Sequence, residues 1–82
     1  MGVAELREAF NSVGEPKFTC NLAQQGYTRL GGKEWQILLF RGTTAAGGEF
    51  EVISQPLEAR TDLNVAAKEA AQQLLDQESK TP

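Results

Sequence analysis

The stretch Leu63–Gln77, LNVAAKEAAQQLLDQ, decides how the rest of this sequence is read. Leu63, Ala66, Ala67, Ala70, Ala71, Leu74 and Leu75 recur at steps of three and four, which puts them on one face of a helix. Asn64, Lys68, Glu69, Gln72, Gln73 and Asp76 fall on the other side. Thr61 or Asp62 is placed to accept a hydrogen bond from the first free amides, so the helix has a start signal. Its apolar face is rich in alanine. Small side chains let a helix axis come close to its support, which suits packing across a sheet.

Working back from this helix, the preceding segments read as the material of that sheet. Glu49–Gln55 (EFEVISQ) alternates, with Phe50 and Val52 on one side and Glu49, Glu51 and Ile53 on the other. Pro56 has no amide to donate and ends the strand or marks it as an edge. Gly42–Gly48 (GTTAAGG) reads as a turn. Glu34–Arg41 (EWQILLFR) is the most hydrophobic stretch, with Trp35, Ile37 and Leu39 on one face and Leu38 and Phe40 beside Gln36 on the other. A strand apolar on both faces sits centrally or is covered twice. Ala23–Lys33 (AQQGYTRLGGK) is expected to be a glycine-punctuated connection. Lys17–Leu22 alternates as a half-buried strand, with Phe18, Cys20 and Leu22 pointing one way.

At the N-terminus, Val3–Val13 predicts a short amphipathic helix with Val3, Leu6, Phe10 and Val13 on one face. Gly14 is expected to stop it in a left-handed conformation, and Pro16 cannot continue it. Ser79–Pro82 is expected to fray. The order helix, three strands, helix predicts an α+β fold: an α-β-β-β-α two-layer sandwich. Its sheet is a three-stranded antiparallel meander, and both helices lie on one face. Residues 1–82 form a single domain with an ordered core over about 3–77.

The chain has 82 residues, a formal net charge of −3 and a sequence pI near 4.8. A core of this size supplies roughly 3–5 kcal/mol of net stability. It contains no histidine and one cysteine, which excludes an internal disulfide and leaves little for a zinc site or for acid–base catalysis. No cofactor, no metal and no catalytic residue is expected, and the chain is not read as an enzyme. No apolar run is long enough to span a membrane, and the N-terminus lacks a signal-peptide pattern. The lone Cys20 leans toward a reducing, intracellular setting, with cytoplasm and nucleus not distinguished. Cys20 itself reads as a small buried hydrophobe, and Asp62 as a helix cap. Charge is uneven. Lys17, Arg29, Lys33 and Arg41 stand against Glu34 in the first hairpin region, whereas the chain from Gly42 onward is acidic. An acidic whole is awkward for nucleic acid, but a basic hairpin can still face phosphate.

Three local details make the chain resemble the double-stranded RNA-binding domain over Val3–Gln77. Pro16-Lys17-Phe18 followed by Gly26 is similar to the family's Pro-x-aromatic opening of the first strand and the glycine that begins its hairpin loop. Trp35 starts the second strand about where that family places an aromatic. Ala70-Ala71-x-x-Leu74-Leu75 is similar to its closing Ala-Ala-x-x-Ala-Leu.

The resemblance implies a non-catalytic module of RNA processing or RNA silencing that grips duplex RNA at three places. Glu5 and Glu8 occupy positions similar to the readers of the first helix. The stretch Tyr27-Thr28-Arg29-Leu30 supplies the hairpin contact; apart from the resemblance, Arg29 and Lys33, with Lys17 and Arg41, read as a patch facing phosphate or as scattered solvated charge. Asn64 and Lys68 lie at the start of the last helix. The chain departs from the family in two places. The usual Gly-Pro-x-His is missing from the hairpin loop, and Lys-Lys-x-Ala-Lys is replaced by Leu63-Asn64-Val65-Ala66-Ala67 with Asp62 before it. Each lost phosphate contact removes about one counterion's worth of affinity, so contact with duplex RNA is expected to be weak or absent at physiological salt.

The alternative is the same fold used for protein contact or homodimerisation, through the open sheet face or the third-strand edge. Leu38 and Phe40, extended by Ile53, are the candidate partner patch if the helices cover Trp35, Ile37 and Leu39. The reverse arrangement exposes that set instead. Trp35 is a core residue or a stacking platform.

Overall fold

The computed structural model of the chain describes residues 2–80. The elements are α1 (Val3–Gly14), β1 (Phe18–Leu30), β2 (Lys33–Thr44), β3 (Glu49–Ile53) and α2 (Leu63–Lys80). The strands pair antiparallel in the order β1-β2-β3, and the two helices pack together on one face. This is the expected α+β meander, and its architecture is consistent with that of the double-stranded RNA-binding domain.

The core draws Leu6, Ala9 and Phe10 from α1, Phe18, Cys20 and Ala23 from β1, Leu38 and Phe40 from β2, and Leu63, Ala66, Ala67, Ala70 and Ala71 from α2. All four phenylalanines join in one cluster. Phe10 stacks on Phe40 with centroids 5.1 Å apart and on Phe50 at 5.5 Å, and Phe18 meets Phe50 edge-on at 5.5 Å. Such pairs contribute about 0.5–1.5 kcal/mol each beyond burial. The alanine face of α2 is buried as expected, but its main neighbour is α1 rather than the sheet. Small side chains on α2, met by Ala9 on α1, let the two axes approach. Asp62 caps α2: its carboxylate accepts the Asn64 N–H at 3.0 Å, and its carbonyl accepts that of Ala66 at 3.1 Å.

The largest departure from expectation is the segment 23–33. It is not a loop. β1 continues to Leu30 and β2 starts at Lys33, so only Gly31 and Gly32 turn the chain. Their φ values of 60° and 76° are those of a two-residue type I′ turn, whose twist matches the flanking strands.

A second departure lies in the alternation of β1. The register shifts between Cys20 and Leu22, so Asn21 is an extra residue in a bulge. Every later side chain therefore changes face. Ala23 enters the core at 6% exposure, while Leu22, expected beside Phe18 and Cys20, stands 40% exposed. The bulge is held by Asn11 of α1, whose side chain accepts the Cys20 N–H at 2.6 Å and donates to the Cys20 carbonyl at 3.2 Å. Gly42 lies opposite. A Cβ there would run into the Thr19 carbonyl oxygen and the Phe50 ring.

Smaller expectations also change. The turn expected over Gly42–Gly48 begins only after Thr44, because Gly42, Thr43 and Thr44 pair in the sheet as the end of β2. Gly14 is not left-handed; it is the last residue of α1, buried against Phe10 and Phe18 because a side chain would crowd them. The helix is ended by Glu15, extended as the residue before a proline must be. At the other end, α2 extends to Lys80, while the rest of that tail lies outside the described residues. Beyond β3 the chain returns to β2. Ser54 Oγ accepts the Leu38 N–H at 2.9 Å, and Leu57 exchanges two main-chain bonds with Gln36 at 2.8 and 2.7 Å. The residues around Pro56 thus step over a position the proline could not have bonded.

Candidate functional site

On the helix side, α1 and α2 bring Glu5, Glu8, Ser12, Asn64 and Lys68 around a shallow groove of about 390 Å³ with Ala9 at its floor. The spacing of Glu5 and Glu8 puts them on one side of α1, and the Asp62 cap fixes Asn64 in the first turn of α2. Asn64 Oδ1 is buried with no hydrogen-bond partner among the described residues. Two carboxylates face one ammonium here, so the groove is not a phosphate site by charge.

Tyr27, Thr28 and Arg29 lie in β1 rather than in a loop. Register puts Tyr27 opposite Gln36 and Arg29 opposite Glu34, on the helix side of the sheet. It puts Thr28 opposite Trp35 and Leu30 opposite Lys33, on the open side. The hairpin set is therefore split between two faces. The Lys33 ammonium sits 4.9 Å over the Trp35 ring, whose indole N–H points at the Leu30 carbonyl at 3.4 Å. Lys17 is at the far end of β1, roughly 40 Å away at about 3.3 Å per residue. Its ammonium lies 3.9 Å from Glu78 of α2. Arg41, on the open face, is ion-paired with Glu51 of β3. Thus Lys17, Arg29, Lys33 and Arg41 are not gathered into one cationic patch, and two of them already face a carboxylate.

The open face carries the apolar surface, but not the residues first assigned to it. Leu38 and Phe40 are 1% and 0% exposed and lie under the helices. As core residues they cannot meet a partner. The reverse arrangement holds, with Trp35, Ile37 and Leu39 half-buried on the uncovered side. Ile53 remains a surface residue at 59% exposure, paired in register with Leu39. Gln24, Gly26, Ile37, Leu39 and Ile53 line a shallow depression of about 230 Å³, deepened because Gly26 has no side chain opposite Ile37. Gln36, the polar member of the inner face, is buried but satisfied. It accepts from Gln25 at 2.7 Å and donates to the Ala59 carbonyl at 3.2 Å.

Cys20 is 2% exposed, and its thiol contacts the Leu22 carbonyl at 3.2 Å. Burial pushes its pKa up, so the reactive thiolate is suppressed. Among the described residues no group of His, Cys, Asp and Glu stands ready to hold a metal, and no helix is long and apolar enough to cross a membrane.

Sequence reasoning missed one feature, the long outer edge of β1. The signal was present. Gly31-Gly32 between two alternating runs is a hairpin marker, and reading it makes strand of the residues on either side. Comparison of the chain with known protein families, characterised proteins and solved structures gives no match.

Proposed function

We propose that this chain is a non-catalytic protein-interaction module that works through its sheet, with contact to duplex RNA weak or lost. One observation carries this reading. Among the described residues the sheet is covered on the helix side only, and its other side exposes Leu22, Leu30 and Ile53 around the half-buried Trp35, Ile37 and Leu39. Apolar surface of this kind, bordered by charged side chains, marks contact sites. The cations that would have met phosphate are dispersed, and Lys17 and Arg41 sit against Glu78 and Glu51. The partner this reading requires is a protein chain, in an intracellular setting that suits a single unoxidised thiol.

The second reading is a duplex-RNA-binding module of RNA processing or silencing, and a specific arrangement favours it. Glu5, Glu8, Asn64 and Lys68 share one groove, on the side of the sheet that Tyr27 and Arg29 also face. An amide-shift titration with a plain duplex of about 16 base pairs, the span of such a domain, ranks the two. The expected result is that added duplex shifts nothing in residues 5–11, 26–33 or 64–68, even at low salt, whereas raising the protein concentration without RNA does shift residues of the sheet. Salt-sensitive shifts confined to those three segments would reverse the order.

A further inference from the structure

Among the described residues nothing hydrogen-bonds to the outer edge of β1, and its main-chain geometry specifies what fits there. Gln36 exchanges bonds with Leu57, and Leu38 with Ser54, so these residues of β2 turn their N–H and C=O groups away from β1. Their neighbours Trp35, Ile37 and Leu39 turn theirs toward β1, where register sets them opposite Thr28, Gly26 and Gln24. The alternate residues Ala23, Gln25, Tyr27 and Arg29 therefore point their N–H and C=O groups outward. Among the described residues no hydrogen bond outside the β1–β2 ladder engages these groups. The free edge has definite ends. Asn11 closes it at Cys20, and the Gly31-Gly32 turn closes it beyond Leu30.

We infer that this edge binds the same edge of a second copy of the chain, antiparallel about a two-fold axis at Gly26, making one continuous sheet across two molecules. The inference rests on the protein-contact reading and names the partner. A hydrogen-bonded antiparallel pair needs outward-facing residues on both strands. Centring on Gly26 sets Ala23 of one copy against Arg29 of the other, and Gln25 against Tyr27, so all four outward residues find partners. Centring on Gln25 or Tyr27 instead sends one of them against the bulge residue Asn21 or the turn residue Gly31.

Side chains agree with this register independently. On the open face Leu22 meets Leu30 of the other copy. These two, 40% and 51% exposed, are among the most exposed large apolar residues of the chain, as is Tyr27 at 64%. Gly26 meets Gly26 on the axis, where strand backbones come closest. Arg29 is the only charge in residues 22–30, and this register places it across from Ala23 rather than from its own copy. Unprotected edge strands pair in this way unless charge, proline or a bulge prevents it. Here the bulge lies at the end of the free edge, and the stretch itself contains none of these apart from Arg29. The two helix pairs lie toward opposite ends of the joined sheet, leaving its centre open.

Sedimentation equilibrium over a wide concentration range, with cross-linking, tests the register. Gly26→Cys in a Cys20→Ala background places two thiols across the axis in a non-hydrogen-bonded pair, about 4.5 Å between Cα atoms and within disulfide reach. The Gly26 site accepts a Cβ, since the nearest atom, on Ile37, would be 3.6 Å away. Thr28→Cys is the control, because its two copies would be offset by about 13 Å along the strand. Under mild oxidation the expected result is rapid covalent dimer for Gly26→Cys and at least tenfold slower dimer for Thr28→Cys. Tyr27→Pro removes an outward N–H that the monomer does not use. It should weaken association by roughly tenfold or more without changing the circular dichroism spectrum.

Equal cross-linking at both positions, or a chain that sediments as monomer throughout, overturns the inference. Association that survives Tyr27→Pro, with shifts at Ile37, Leu39 and Ile53, overturns it as well, yet leaves the protein-contact reading standing. Monomer together with salt-sensitive duplex shifts would remove both.

Discussion

Leu38 and Leu39 are adjacent, chemically identical and oppositely placed. Leu38 faces the helices at 1% exposure in a layer with Phe40, whereas Leu39 faces outward in a layer with Ile37 and Ile53. Both faces of β2 are apolar enough to be core. What separates them is cross-strand company. Ala23 and Gln25 stand opposite Phe40 and Leu38, and Phe50 and Val52 flank the same side. The cluster of Phe10, Phe18, Phe40 and Phe50 closes only there. A strand's alternation defines two faces, and the neighbours choose which is buried.

The comparison is most easily broken at its deepest residue. Phe40→Ala should cost about 3–5 kcal/mol by leaving a cavity under both helices. That is comparable with the whole stability of a domain this small, so far-UV circular dichroism should find the variant largely unfolded. A cooperative fold with a near-native urea midpoint would mean that the inner face is not the core. Gly42→Ala tests the packing of the same strand against the bulge. A methyl group there meets the Thr19 carbonyl and the Phe50 ring, and the expected loss is about 3 kcal/mol in urea unfolding.

Asn11→Ala comes next. It strips the Cys20 N–H and carbonyl of their partner at the part-buried bulge, and calorimetry should register about 1–3 kcal/mol. Leu39→Ala sharpens the contrast with Leu38→Ala. The outward leucine should cost about 1 kcal/mol or less and the inward one about 2–5 kcal/mol, so equal losses would sink the assignment of faces.

The smallest effect is on pH. Burial raises the Cys20 pKa above its ordinary 9.0, so the stability tied to the neutral thiol is fully present below that value. It is lost as pH rises through the folded-state pKa. Relative to Cys20→Ala, the unmodified chain should lose urea resistance only above about pH 9, and parallel curves would place the thiol in water.

The two helices differ from the hairpin in how openly the sequence declares them. The 3.6-residue pattern of Leu63–Leu75 and of Leu6–Phe10 fixes each buried face locally, and Asp62 announces its cap. The strands of the hairpin gave weaker signals, since Gly26 and the polar run Ala23–Arg29 look like a loop until Gly31-Gly32 is taken as the turn. The candidate site was legible in part. Glu5, Glu8, Asn64 and Lys68 do meet in one groove, because helical spacing puts each pair on one side of its helix. The scatter of Lys17, Arg29, Lys33 and Arg41 was hidden, because their positions depend on strand length and register.

By itself, then, the sequence determined the order of elements, the α+β class, the buried face of the last helix, that of the first helix apart from Val3, which stands exposed, and the burial of Cys20. These follow from periodicities that extend over only a few residues. The tertiary structure alone decided which side of β2 is inner, that Asn21 is an extra residue, and that nothing among the described residues hydrogen-bonds to the outer edge of β1. Those outcomes depend on pairings between distant segments. One inserted residue reverses every side chain that follows it, and no local pattern records where that residue will be accommodated.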